Sequence, residues 1–183
     1  MLASCFFLPA VRGCGGDPVH PYDVPGFTSP YAIGLLIALF AILALILRER
    51  VPVAISRIHT AICCLGVLAT AVYFAFGTVA EILDGWNGWA RLVPLAAPLA
   101  GCLALAALAS LALRRNRSQG WREARATWTF GAATFLWLLQ WALDRYSLMF
   151  GWWLSVIASL MVVAGGALLE RASRLSSGKL LND

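Results

Sequence analysis

Five apolar runs constrain this chain more than any other feature: Tyr31–Leu47, His59–Leu83, Leu92–Leu113, Thr127–Leu143 and Tyr146–Leu169. A hydrocarbon layer about 30 Å thick takes about 20 residues of helix, because any other backbone would leave unpaired N–H and C=O groups in lipid. Burial in one soluble core is excluded by composition. The chain is 61% hydrophobic and 13% charged, where a soluble domain has roughly 45–50% and 25%. The expected fold is all-α, a polytopic transmembrane helix bundle with five complete spans at residues 31–47, 59–83, 92–113, 127–143 and 146–169. All of it belongs to a single integral membrane domain covering residues 1–183.

The charges between these runs set an orientation, because Lys and Arg near membrane ends are retained on the cytoplasmic side. Arg48, Arg50 and Arg57, then Arg114, Arg115, Arg117, Arg122 and Arg125, then Arg171, Arg174 and Lys179 fall on one side. Arg12, Arg91 and Arg145 fall on the other. The bias alternates across all five spans and predicts a cytoplasmic C-terminus. The net charge of +5 therefore reads as topology and attraction to anionic headgroups, not as a nucleic-acid patch. The near absence of Lys beside abundant Arg, Ala, Leu and Trp resembles the codon bias of a GC-rich bacterial genome, so the expected location is a bacterial inner membrane.

Ahead of the first span, residues 12–30 hold Pro18, Pro21, Pro25 and Pro30 with Gly13, Gly15, Gly16 and Gly26. That spacing forbids a helix and predicts a turn-rich extracytoplasmic loop packed on the helix ends. The apolar stretch Met1–Val11 is too short to cross. It is expected to be either the outer end of a first span whose beginning precedes this sequence, or a short helix in the outer interface. Phe6–Gly16, Phe-Phe-Leu-Pro-Ala-Val-Arg-Gly-Cys-Gly-Gly, resembles a stretch in uncharacterised bacterial multi-pass membrane proteins, where Leu-Pro and Cys-Gly-Gly follow a first helix. The resemblance is confined to those residues and implies no function.

The spans themselves carry little chemistry. Pumps and coupled transporters need ionisable groups at mid-membrane, and the strongly polar residue inside these spans is Gln140, read as an interhelical hydrogen-bonding group. Glu81, Asp84 and Asp144 sit at the outer helix ends and Glu170 at the inner end. His20 and His59 lie on opposite sides, which argues against bis-His haem ligation. No Cys, His, Asp or Glu spacing matches a metal pattern, and no phosphate-binding, dinucleotide, zinc-protease or nucleophile-elbow motif occurs. No catalytic, cofactor-binding or metal-binding residue is therefore assigned, and the chain is not expected to be an enzyme.

Packing features stand out instead. Small residues four apart allow close backbone approach between membrane helices, and three candidate seams follow: Gly34 with Ala38; Ala96, Ala100 and Ala104; and Gly151, Ser155 and Ser159. Trp86, Trp89, Trp141, Trp152 and Trp153 fall near the outer surface, as an aromatic belt at headgroup depth and candidate contacts for a lipid or other lipophile. The expected function is a non-catalytic inner-membrane protein, an accessory or scaffold subunit of a membrane assembly. Its expected partners are lipids and a membrane protein or a second copy, with no nucleic acid. The alternatives are a small transporter or channel, and an enzyme acting on lipid or quinone with Asp17, His20, Asp23, Glu81, Asp84 and Asp144 as its acid–base groups.

Cys5 and Cys14 both fall on the oxidising side, where a disulfide clip between them is sterically allowed. Alkylation of the unreduced protein followed by mass spectrometry tests this. A clip leaves both thiols unlabelled, and two labelled thiols exclude it.

Overall fold

The computed structural model describes residues 11–12, 17–20, 52–83, 89–113, 118–143 and 147–179. Four helices make up almost all of this: α1, Pro52–Leu83; α2, Trp89–Ser110; α3, Gln119–Leu143; and α4, Phe150–Lys179. α1 opens on proline, whose missing N–H is no loss in a first turn. α2 begins at Trp89 and runs on through Pro94 and Pro98 before tightening into a 3-10 turn at Leu111–Leu113. α3 is capped by Ser118, whose Oγ accepts from the Trp121 N–H at 3.4 Å and whose carbonyl accepts from the Arg122 N–H at 3.2 Å.

Side-chain contacts fix the directions. Cys64 on α1 donates to the Ala109 carbonyl late in α2, and His59 on α1 meets Thr127 early in α3. Arg125 early in α3 meets Glu170 late in α4. The helices therefore alternate up and down, with the start of α1, the end of α2, the start of α3 and the end of α4 at one pole. Arg57, Arg122, Arg125, Arg171 and Arg174 all lie there, and they stand on helices that extend past the apolar runs, not in loops.

A small sheet forms at the opposite pole. β1 (Val11–Arg12) lies between β2 (Pro18–Val19) and β3 (Ser147–Leu148), antiparallel to both. β3 belongs to the α3–α4 connection, so Val11–Arg12 and, through it, Pro18–Val19 are pinned to that hairpin. These two-residue strands sit at one end of an almost entirely helical structure, in keeping with the all-α expectation. Backbone groups in a proline-broken segment cannot pair within a helix, and here they pair across strands. Val19 continues inward onto a core cluster of Ala71, Phe74, Cys102, Trp137, Leu138 and Trp152. A second cluster of Cys63, Val67, Ala109, Ala112, Ala126, Phe130 and Ala133 fills the arginine-bearing half.

Among the described residues three helices are long and apolar enough to cross a membrane, where the sequence predicts four there and five in all: Val53–Ala80, Ala96–Leu113 and Phe150–Leu175. The expected span 31–47 lies outside the described residues. The expected span 127–143 lies in α3, which is helical throughout but is not among the three. Its position supplies the physical reason. α3 touches α1, α2 and α4, and the one large hydrophobic it exposes among the described residues is Leu139. Surrounded by helices, it need not be apolar on every face. α1 and α4 instead expose rows of large apolar side chains, including Leu65, Leu68, Val72, Phe76 and Val79 on α1 and Ile157, Leu160, Met161, Leu168 and Leu169 on α4.

α4 lies along α3 at close range because two glycines permit it. A Cβ at Gly166 would stand 2.8 Å from Trp128 Cβ and 2.9 Å from the Trp128 backbone nitrogen, and one at Gly131 would stand 2.9 Å from Val162 Cγ1. Gly165 is the internal control, with nothing within 4 Å of its Cβ position. Gly166→Ala is expected to cost about 1–3 kcal/mol through forced separation of the helices. Gly165→Ala is expected to gain roughly 0.5–1 kcal/mol from the lost backbone freedom of glycine. Thermal melting of the two variants in detergent, followed by circular dichroism, reads the contrast.

Candidate functional site at the arginine-bearing pole

The α3–α4 register carries Glu170 directly onto Arg125 and Trp128. Glu170 is only 6% exposed, and a buried carboxylate is costly unless charge and hydrogen bonds offset its lost hydration. Both its oxygens are committed. Oε1 accepts from Arg125 Nη2 at 2.6 Å and from Arg174 Nη2 at 2.5 Å, while Oε2 accepts from Trp128 Nε1 at 2.6 Å and from Arg125 Nε at 3.3 Å. Arg125 thus grips the carboxylate by two donors, the strongest geometry open to this pair. Its guanidinium also lies 4.3 Å from the centre of the Trp121 ring, which adds a cation–π contact from a residue one turn earlier.

The partners differ in exposure. The Arg125 side chain is 11% exposed and that of Arg174 is 61%. Arg125 is therefore the structural partner, and Arg174 reaches in from solvent along its own helix. A cleft of about 330 Å³ opens beside them, lined by Arg125, Trp128, Ala167, Glu170, Arg171 and Arg174.

The other side of α3 holds a second polar contact, one residue away. The Thr127 hydroxyl donates to the Glu123 carbonyl at 2.8 Å. Its proton is thereby used, so it accepts from His59 Nε2, 2.9 Å away, and the ring carries its proton on Nε2. Cys63 Sγ lies 3.7 Å from the same nitrogen, but Cys63 is fully buried. Thr127 holds α1 while Trp128 holds α4, so consecutive residues of α3 fasten two neighbouring helices.

The residues singled out from the sequence are distributed as follows. Gly151, Ser155 and Ser159 are buried. Ala96, Ala100 and Ala104 lie on the exposed face of α2, whose packed face is Pro98, Cys102 and Ala109. Trp152 is a core residue, its Nε1 donating to the Leu138 carbonyl at 3.1 Å, and Trp153 stands exposed against it with rings 4.7 Å apart. Trp89 and Trp141 lie in the first turn of α2 and the last turn of α3. Cys5, Cys14, Gly34, Ala38 and Trp86 lie outside the described residues. Among the outer acid–base groups, Asp17 and His20 flank β2, Glu81 is in the last turn of α1, and Asp23, Asp84 and Asp144 are outside the described residues. Among the described residues no group of three or more His, Cys, Asp and Glu is placed to hold a metal ion.

Comparison with known proteins adds no relative: no family model, no curated protein and no solved structure matches the chain. The Glu170 cluster is thus defined by its own geometry. Sequence reasoning placed Glu170 at the inner end of a span and Arg125 among the orienting arginines without joining them. The Glu170–Arg174 spacing of four on one helix was the available signal.

Glu170→Gln keeps the shape but removes the charge that neutralises the largely enclosed Arg125, and is expected to cost roughly 3 kcal/mol. Arg174→Ala removes a solvent-exposed partner and is expected to cost less than about 1 kcal/mol. Unfolding of both variants by denaturing detergent, compared with the native chain, measures the difference.

Proposed function

We propose that this chain is a non-catalytic polytopic subunit, a scaffold or accessory element packed within a membrane assembly. In this reading it sits in a bacterial inner membrane, with the arginine-bearing pole and the C-terminus on the cytoplasmic side. α3 crosses beside α4 as an enclosed helix, and Tyr31–Leu47 supplies a further crossing.

One observation carries a packing role over a conducting one: buried hydroxyls on three of the helices bond to their own backbone. Thr70 donates to the Gly66 carbonyl at 2.9 Å, Thr134 to Phe130 at 3.0 Å, and Ser155 to Gly151 at 2.8 Å. A permeation path needs polar groups turned toward a common lumen, whereas these are turned back onto the backbone one turn earlier. The buried carboxylate is likewise held by fixed partners, with Arg125 and Trp128 both on the facing helix.

The apolar rows on α1 and α4 support the subunit reading, since they match lipid tails or another membrane helix equally well. Extraction of the tagged full chain in mild detergent is expected to retain a defined protein partner or a second copy through size-exclusion chromatography. The same chain reconstituted in liposomes is expected to pass no ions or small solutes above empty vesicles. A strictly monomeric chain with measurable flux would overturn the proposal.

A further inference from the structure

Glu170 neutralises less charge than its surroundings carry. Its oxygens accept from Arg125, Arg174 and Trp128, which fills the acceptor capacity of one carboxylate. Arg171 lines the same cleft, is exposed, and has no hydrogen-bond or ion-pair partner among the described residues. Arg174 gives one nitrogen to Glu170 while its side chain stays 61% exposed. Three guanidiniums therefore face one carboxylate, and the surplus positive charge sits at the cleft mouth on Arg171 and Arg174.

The position of that surplus is equally informative. The cleft lies at the end of a helix apolar enough to cross a membrane, Phe150–Leu175. Leu168 and Leu169, at 67% and 64% exposure, stand just before the arginines, and Ala167 and the Trp128 ring form the cleft's apolar wall. A phosphate oxyanion satisfies the arginines, and acyl chains satisfy the leucines. No small soluble anion satisfies both.

We propose that this cleft binds an anionic glycerophospholipid, with its phosphate held between Arg171 and Arg174 and its chains lying along Leu168 and Leu169. Glu170 and Arg125 position the site: the ion pair holds Arg174 across the cleft and keeps the phosphate from drawing Arg125 out of the helix interface. The inference rests on the membrane placement proposed above and adds a specific ligand to it.

Native mass spectrometry of the full chain in detergent, with phosphatidylglycerol and phosphatidylcholine supplied at equal concentration, tests the site. One phosphatidylglycerol is expected to be retained in preference to phosphatidylcholine. At about 1 kcal/mol per arginine, Arg171→Ala with Arg174→Ala is expected to weaken it about thirty-fold and Arg171→Ala alone about five-fold. Arg171→Ala carries the test if the double variant loses its helical signal, since that side chain touches no other described residue by hydrogen bond or ion pair. Arg57→Ala, at an exposed arginine of α1 at the same pole, is expected to leave binding unchanged, and inorganic phosphate at equal concentration is expected not to displace the lipid. Equal retention of phosphatidylcholine, an equal loss in Arg57→Ala, or displacement by inorganic phosphate would each overturn the proposal. A chain that stays dissolved without detergent would instead refute the membrane placement, which separates the two failures.

Discussion

The close contact between α3 and α4 depends on a missing atom. With no Cβ at Gly166, the α4 backbone lies against Trp128 and the Ala124 carbonyl in a space that a side chain would overfill. That approach fixes the longitudinal register, and the register decides which α4 residue meets Arg125. A slip of one helical turn, about 5.4 Å, would face Arg125 with Gly166 or Ala167 in one direction and with Ser173 or Arg174 in the other, and would leave Arg125 and Glu170 without each other. The glycine and the ion pair therefore specify the same arrangement independently, one by shape and one by charge.

The polarity of α3 follows from its neighbours more than from its sequence. In lipid, an apolar exterior gives helices no hydrophobic reason to associate, so association relies on close packing and polar contacts. α3 supplies both: Gly131 and small alanines for approach, and Thr127, Trp128 and Arg125 for bonds to α1 and α4. A helix with these side chains would be poorly placed against acyl chains. Enclosed by three others, it is the element that makes the bundle cohere, and the outer helices are free to be uniformly oily.

The sequence made the oily character and the alternation of arginines legible, because both depend on composition and order alone. Side-chain placement was legible only where one helix contains both partners, as with Glu170 and Arg174. Glu170 and Arg125 are far apart in sequence, and their meeting depends on how α3 and α4 slide past each other, which no local pattern encodes. Small-residue spacing shows the same limit from another side. Ala96, Ala100 and Ala104 repeat the spacing of Gly151, Ser155 and Ser159, yet the first set is exposed and the second buried. Spacing marks a face able to pack closely, and the neighbours decide whether it does. The enclosure of α3 was hidden for a related reason, since an enclosed helix and a lipid-facing one differ in hydropathy more than in helical length.

The sheet at the far pole has a consequence for biosynthesis. β1 and β2 precede the described helices in sequence, but the strand that completes their ladder lies between α3 and α4, so the ladder cannot close until α1, α2 and α3 have been made. Closure of that pole therefore waits on the α3–α4 connection, and until it occurs Val19 has no Trp152 to cover.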